Sequence, residues 1–229
     1  TGTIAYLSVL SLAASLTYYA LNESLNLRSI LTLTLVTIWA IRLGIFLFLR
    51  VLKAGEDQRF DVPKQNFSIF LVWWNTSALW VFLTSANALT MIINNVRFYN
   101  DLYFYIGLFL WIVGFIFEAI ADNQKRRFKM DSHNKDKFIS TGLWSISRHP
   151  NYFGEIILWL GISIIAFPTL EGWQFVTLIS PVFIVLLLTK VSGINLLEEI
   201  AEKRWGGQPE YESYKKHTPV LVPFINNDT

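Results

Sequence analysis

The sequence predicts an all-α protein: a polytopic membrane helical bundle with six spans, or seven if a helix precedes Thr1. Three observations carry this. The 229 residues are 53% apolar and 16% aromatic but only 16% charged, whereas soluble domains carry about 25% charge; mean hydropathy is +0.40. Six stretches approach the roughly 20 apolar residues that a helix needs to cross a hydrocarbon core of about 30 Å. Polar loops separate them, and none shows the ten-residue alternation of a membrane β-barrel.

The spans follow in order at about residues 2–21, 29–52, 67–93, 102–121, 152–167 and 173–191. The fifth is short, and Pro168 with Gly172 marks a tight turn into the sixth, so these two form a helical hairpin. No linker, repeat or low-complexity tract interrupts the chain. It reads as one membrane-embedded domain over 1–229, with a polar loop at 122–150 and an amphipathic tail at 193–229.

Charge is segregated. One set of alternate loops holds Arg50, Lys53, Arg59, Lys64, six cations between Lys125 and Lys137, Arg148, and four between Lys203 and Lys216. The other set holds Arg28 and Arg97. The positive-inside rule places loop 122–150 and the C-terminal tail in the cytoplasm. The net charge of +2 is too small to suggest a nucleic-acid partner. With no cysteine there is no disulfide scaffold, thiolate metal site or cysteine nucleophile. The three histidines, His133, His149 and His217, are scattered, and no metal site is expected.

Ionisable groups inside a span are functional candidates by default, because burying them is costly. Arg42 lies in the second span, Glu118 late in the fourth and Glu155 early in the fifth. Arg42 suits either an ion pair with a carboxylate such as Glu118 or a direct role in a polar cavity. If the fourth helix continues past its span, Glu118, Asp122, Lys125 or Arg126, and Lys129 share one face. Those cations suit either phosphates or anionic lipid headgroups. The densest polar block is Gly142-Leu143-Trp144-Ser145-Ile146-Ser147-Arg148-His149-Pro150-Asn151-Tyr152-Phe153-Gly154-Glu155. Pro150 suits the first turn of a helix, whose free N–H groups favour an anion. Asn151 and Glu155, four apart, face the same way. A helix start explains Pro150 but not the clustering of Arg148, His149, Asn151, Tyr152 and Glu155. No glycine-rich Rossmann or Walker loop is present.

Three blocks together resemble the steroid 5α-reductase-like membrane proteins, whose relatives are often labelled a domain of unknown function. They are WAIRLGIFLFLRVLKAGEDQRF from Trp39 to Phe60, DNQKRRF from Asp122 to Phe128, and GLWSISRHPNYFGE from Gly142 to Glu155. The tail LLEEIAEKRWGGQPEYESYKKHTPVLVPF is similar to that family's Tyr-rich end. The resemblance implies a seven-helix reductase that binds NADPH from the cytoplasmic side and reduces a carbon–carbon double bond of a hydrophobic, steroid-like or other lipid enone. It places Asp122, Arg126, Lys129 and Lys137 at the adenosine and phosphate end, with Arg59 a further loop contact. Asn151 and Glu155 match the reductases' Asn-x-x-Gly-Glu stretch, which holds the cofactor; Arg148 and His149 adjoin it. Tyr211 and Tyr214 match positions that close the cavity.

Candidate proton donors are Glu118, Tyr152 and Glu56 with its neighbour Asp57. The Gln-Glu pair and the tyrosine with which steroid reductases polarise a 3-keto group have no clear counterparts, so the cofactor transfers better than the substrate. The alternative is a membrane methyltransferase using S-adenosylmethionine, since isoprenylcysteine carboxyl methyltransferases share the RHPxYxG block. Glu198-Glu199 with Tyr211 and Tyr214 also look like that family. The expected partners are a hydrophobic small molecule and membrane lipid.

Overall fold

The computed structural model describes residues 9, 11, 12, 14, 15, 18, 24–54, 66–96, 101–191 and 193–225. Among the described residues, seven α-helices have defined bounds: α1 Leu27–Ala54, α2 Phe67–Asn94, α3 Leu102–Met130, α4 Pro150–Ala166, α5 Ile179–Leu186, α6 Ile194–Trp205 and α7 Pro209–His217. No strand occurs among the described residues. Among the described residues, five segments are long and apolar enough to cross a membrane: Leu27–Leu49, Phe67–Asn94, Leu102–Met130, Pro150–Thr169 and Gly172–Trp205. They correspond to the second to sixth expected spans. Most of the first, 2–21, lies outside the described residues.

Two boundaries differ from the sequence expectation. Helix α3 does not stop at Ala121 but runs on to Met130, so the polar loop is 131–149. Seven of the nine residues 122–130 are polar, and Gln124, Lys125, Arg126, Arg127, Lys129 and Met130 are good helix formers, with i,i+3 support such as Arg126 donating to Asn123 Oδ1 at 3.0 Å. The sixth span is also not one regular helix. It begins as a 3-10 segment at Gly172–Leu178, becomes α5, and widens into a π-helix at Leu187–Val191 before α6.

The chain divides into two compact units, Thr1–Tyr105 with Ile162–Ser180, and Ile106–Gly161 with Pro181–Thr229. In the first unit, polar side chains tie helix ends together. Asn26 caps α1 by accepting from Ser29 N at 2.9 Å. Its own N–H donates to Asn95 Oδ1 at 2.8 Å, and Asn95 ends α2 in the left-handed conformation at φ 47°. Asp101 caps α3 by accepting from Phe104 N at 2.8 Å and pairs with Arg28. Arg28 also donates to the Ile165 carbonyl at 3.3 Å and is buried, at 4% exposure. The sequence reading treated Arg28 as a loop cation; it lies in the first turn of α1, neutralised. The expected turn at Pro168 and Gly172 is present, with a 3-10 turn at Phe167–Thr169 and Gly172 at φ +51°. Asn94 and Gln174 exchange amide hydrogen bonds of 2.7 and 3.0 Å. Deeper in, buried Asn87 donates to Ser163 Oγ at 2.6 Å. Such interhelical hydrogen bonds hold helices together where lipid supplies no hydrophobic drive.

In the second unit, α3 and α4 run antiparallel with their backbones in contact. A Cβ on Gly114 would fall 2.5 Å from the Gly154 carbonyl oxygen, and one on Gly161 2.5 Å from that of Gly107. Each helix carries its glycines seven residues apart, on one face. Small residues there allow the close approach that membrane helices use for packing.

Candidate functional site

The polar block lies where α3 ends and α4 begins, all within the second unit. The close crossing at Gly154 sets its geometry, since a Cβ there would stand 2.6 Å from Glu118 N and 3.0 Å from Glu118 Cα. The backbone of Glu118 therefore rests against the residue preceding Glu155. Glu118 and Asp122, one turn apart on α3, are both buried, at 2% and 6% exposure. Asn151, Tyr152 and Glu155 are half-buried on the first turns of α4.

The segment entering α4 is held from several sides. Gly142 takes a positive φ of 64° and packs so closely on Gln124 that a Cβ would meet its amide at 2.5 Å. The Leu143 N–H donates to Gln124 Oε1 at 3.0 Å. Trp144 is buried, its indole N–H donating to the Ala121 carbonyl at 3.1 Å, and Lys125 Nζ lies 4.3 Å from its ring centroid. Ser147 Oγ donates to the Leu221 carbonyl at 2.8 Å, and Arg148 N to that of Pro219 at 2.9 Å. Pro150 opens α4, where its missing N–H costs nothing.

The centre of the cluster is a carboxylate on α6. Glu198 pairs with Arg148 through one oxygen and accepts from His149 Nε2 at 2.7 Å through the other. His149 stacks on Tyr152 with centroids 5.7 Å apart and planes at 12°. Burial pushes the His149 pKa below its usual value, with Glu198 opposing the shift.

The tail folds over the loop. Phe138 packs against the rings of Trp205, Tyr211 and Tyr214. Tyr214 Oη donates to the Trp144 carbonyl at 2.6 Å, and burial drives its pKa upward. Tyr211 is buried at 3% exposure. Asp136, at φ 66°, accepts from Arg204 at 2.5 Å through its side chain and from the Trp205 indole at 2.6 Å through its carbonyl.

The structure thus brings Arg148, His149 and Tyr152 together and sets Glu118 beside Gly154 and Glu155. Tyr211 and Tyr214 sit in the packing between tail and loop. Arg126 and Lys129 are exposed on the last turns of α3, and Lys137 is exposed in the loop. Glu56 and Arg59 lie outside the described residues. No cluster able to hold a metal ion occurs among the described residues. The sequence reading singled out Glu198 only through a resemblance to methyltransferases, and did not foresee its pairing with Arg148 and His149. The one available signal was the adjacent Arg148-His149 pair, which needs a carboxylate when buried; nothing local chooses among the tail's acids.

Set against known proteins, the chain matches a family model described as "Protein of unknown function (DUF1295)" over residues 4–218. It is similar to 3-oxo-5-alpha-steroid 4-dehydrogenase 1 of Bos taurus, 24% identical over 126 residues, covering 55% of this chain and 44% of that protein. It is also similar to very-long-chain enoyl-CoA reductase of Dictyostelium discoideum, 28% identical over 121 residues, covering 53% and 36%. A third relative is the probable 7-dehydrocholesterol reductase of Acanthamoeba polyphaga mimivirus, 25% identical over 114 residues, covering 43% and 25%. The chain spans less than half the length of these curated relatives. No solved structure matches it.

Proposed function

The chain belongs to the family described as Protein of unknown function (DUF1295), and on that premise we propose that it is a multi-pass membrane reductase that uses NADPH to reduce a conjugated carbon–carbon double bond in a hydrophobic, steroid-like or other lipid substrate. The observation that carries this reading is the crossing at Gly154. It brings the backbone of buried Glu118 against Gly154 in the Asn151-x-x-Gly154-Glu155 stretch of α4, and buried Asp122 follows Glu118 one turn along α3. The relatives' names, a steroid dehydrogenase, an enoyl-CoA reductase and a sterol reductase, support the reaction class.

The donor set fits a phosphorylated dinucleotide. Exposed Arg126, Lys129 and Lys137 offer charge-assisted hydrogen bonds to phosphate, and Arg59 is assigned the same role. Asp122, Asn151 and Glu155 supply acceptors and an amide for sugar hydroxyls and a carboxamide, with Arg148 and His149 beside them; Tyr211 and Tyr214 hold the tail over the loop. When bound, NADPH supplies the hydride. This chain's part is to orient both reactants, exclude water, and hold a proton where charge develops on the substrate carbonyl oxygen. Glu118, Tyr152 and Glu56 are assigned as candidates for that proton. The apolar spans admit a lipid substrate from the bilayer, while the charged cofactor enters at the polar end.

Isothermal titration of the purified protein with NADPH, NADH and S-adenosylmethionine tests the proposal. NADPH should bind more tightly than NADH. Removing the cation that meets the 2′-phosphate should weaken NADPH about tenfold to a hundredfold, at about 1.5–3 kcal/mol per charge-assisted contact. NADH should lose much less. Asn151→Ala and Glu155→Ala should weaken both. Binding of S-adenosylmethionine alone would replace the reductase reading with the methyltransferase one.

A further inference from the structure

His149 is nine-tenths or more buried, with 4% exposure, yet its two ring nitrogens are treated very differently. Nε2 lies 2.7 Å from Glu198 Oε1. The other oxygen of that carboxylate pairs with Arg148, which keeps it ionised and able only to accept. Nε2 must therefore carry the proton. Nδ1 is buried and has no hydrogen-bond partner among the described residues. A neutral imidazole protonated at Nε2 presents a bare lone pair at Nδ1. A buried acceptor left unmet is costly, and such atoms are uncommon unless something else meets them.

We infer that His149 Nδ1 is a ligand-reading acceptor, held in that tautomer by Glu198, which takes a hydrogen bond from an O–H or N–H donor of the bound nucleotide. The inference rests on the nucleotide site proposed above and adds what this residue reads there. Glu198 is a positioning residue: it touches His149 and Arg148, and fixes where the imidazole proton sits. Tyr152, stacked on the ring, holds its plane. The charges facing the ring are Glu198 from α6, Lys125 from α3 and Arg148 beside it. Burial and the two cations disfavour the imidazolium, which would turn Nδ1 into a donor.

Nitrogen-15 NMR of the histidine side chains tests this; there are three histidines, and His149→Gln assigns the signal. The ligand-free protein at pH 7.5 should show Nε2 protonated and Nδ1 bare. Saturation with NADPH should move the Nδ1 resonance toward that of a hydrogen-bonded acceptor. Glu198→Gln should invert the tautomer: Arg148 can only donate, so it takes the amide oxygen, and the amide N–H then faces Nε2 and drives the proton to Nδ1. His149→Gln keeps the donor to Glu198 but lacks the Nδ1 acceptor, so it should bind nucleotide about tenfold more weakly. His149→Asn, which places an oxygen near the Nδ1 position, should bind better than His149→Gln. If S-adenosylmethionine rather than NADPH shifts Nδ1, the reductase reading falls and the acceptor role stands. An Nδ1-protonated ligand-free ring overturns the inference. So does an Nδ1 resonance unmoved by NADPH, NADH and S-adenosylmethionine alike.

Discussion

Arg28 shows how a single side chain can change meaning between sequence and structure. Counted along the chain it is a cation at the mouth of a span. In the fold it is buried, pairs with Asp101, donates to the Ile165 carbonyl and lies 5.8 Å from the centroid of the Phe104 ring. One residue thus fastens the start of α1 to the start of α3 and the end of α4. Removing it strands the Asp101 carboxylate, whose side chain keeps 21% exposure, so the loss belongs near the lower end of that for a broken buried pair. Arg28→Met should destabilise the protein by about 3 kcal/mol. The double variant Arg28→Met with Asp101→Leu should recover much of it, because no charge is then left alone. Unfolding in detergent measures both, and equal losses in single and double variants would refute the pairing. The partner was not legible from the sequence because Asp101 lies 73 positions away and positive-inside counting ignores acids.

At the scale of elements, the α3–α4 crossing decides what the site can be. Gly107, Gly114, Gly154 and Gly161 leave no room for a methyl group at Gly114, Gly154 or Gly161, since each added Cβ would meet backbone atoms at 2.5–2.6 Å. Backbone cannot swing aside as a side chain can. Gly154→Ala should therefore cost about 1–3 kcal/mol through forced separation of the helices. It should also weaken the proposed nucleotide binding, since the Glu118 backbone is forced away from Gly154 and the Asn151–Glu155 stretch around it. Gly172→Ala is the useful contrast: its Cβ would meet nothing within 4 Å, and only the φ of +51° resists it, at about 1–2 kcal/mol. Thermal unfolding and titration of both variants separate packing from backbone strain. A Gly154→Ala protein with unchanged stability and binding would show that the crossing is not tight. The helices themselves were readable from apolar run length, and the polar block from its density. The crossing was not, because glycines in a membrane sequence are common and only their matched seven-residue spacing on two helices hints at a pair. The pairing of Glu198 with Arg148 and His149 escaped for a related reason. Arg148 and His149 announce the need for a carboxylate, but the tail offers several, and which one faces them depends on the pitch of α6 after the π-helix at Leu187–Val191.

For the whole molecule, the charge distribution along the sequence predicts one orientation. Fifteen cations of alternate loops fall on one side in the sequence and two, Arg28 and Arg97, on the other. The structure sharpens this asymmetry: Arg28 is neutralised by Asp101 inside the bundle and so contributes little as a loop charge. On the many-cation side, the second unit gathers its charges where α3 ends and α4 begins. Arg204 pairs with Asp136 and Lys215 with Glu202 at 2.6 Å; Arg126, Lys129 and Lys137 are exposed to solvent. Moving so many cations across a bilayer during insertion is strongly disfavoured, which is why Lys and Arg near span ends fix orientation. The C-terminal tail should therefore lie in the cytoplasm, the side from which the proposed cofactor would enter. A reporter fused after Thr229 should be active in the cytoplasm, and a tag placed at 168–172, where Gly172 has open space around it, should be labelled only from the opposite face. A C-terminal reporter active on the far side would reverse the orientation. It would also take away the supply of NADPH on which the proposed reaction depends, leaving the polar end of α3 and α4 facing the wrong compartment.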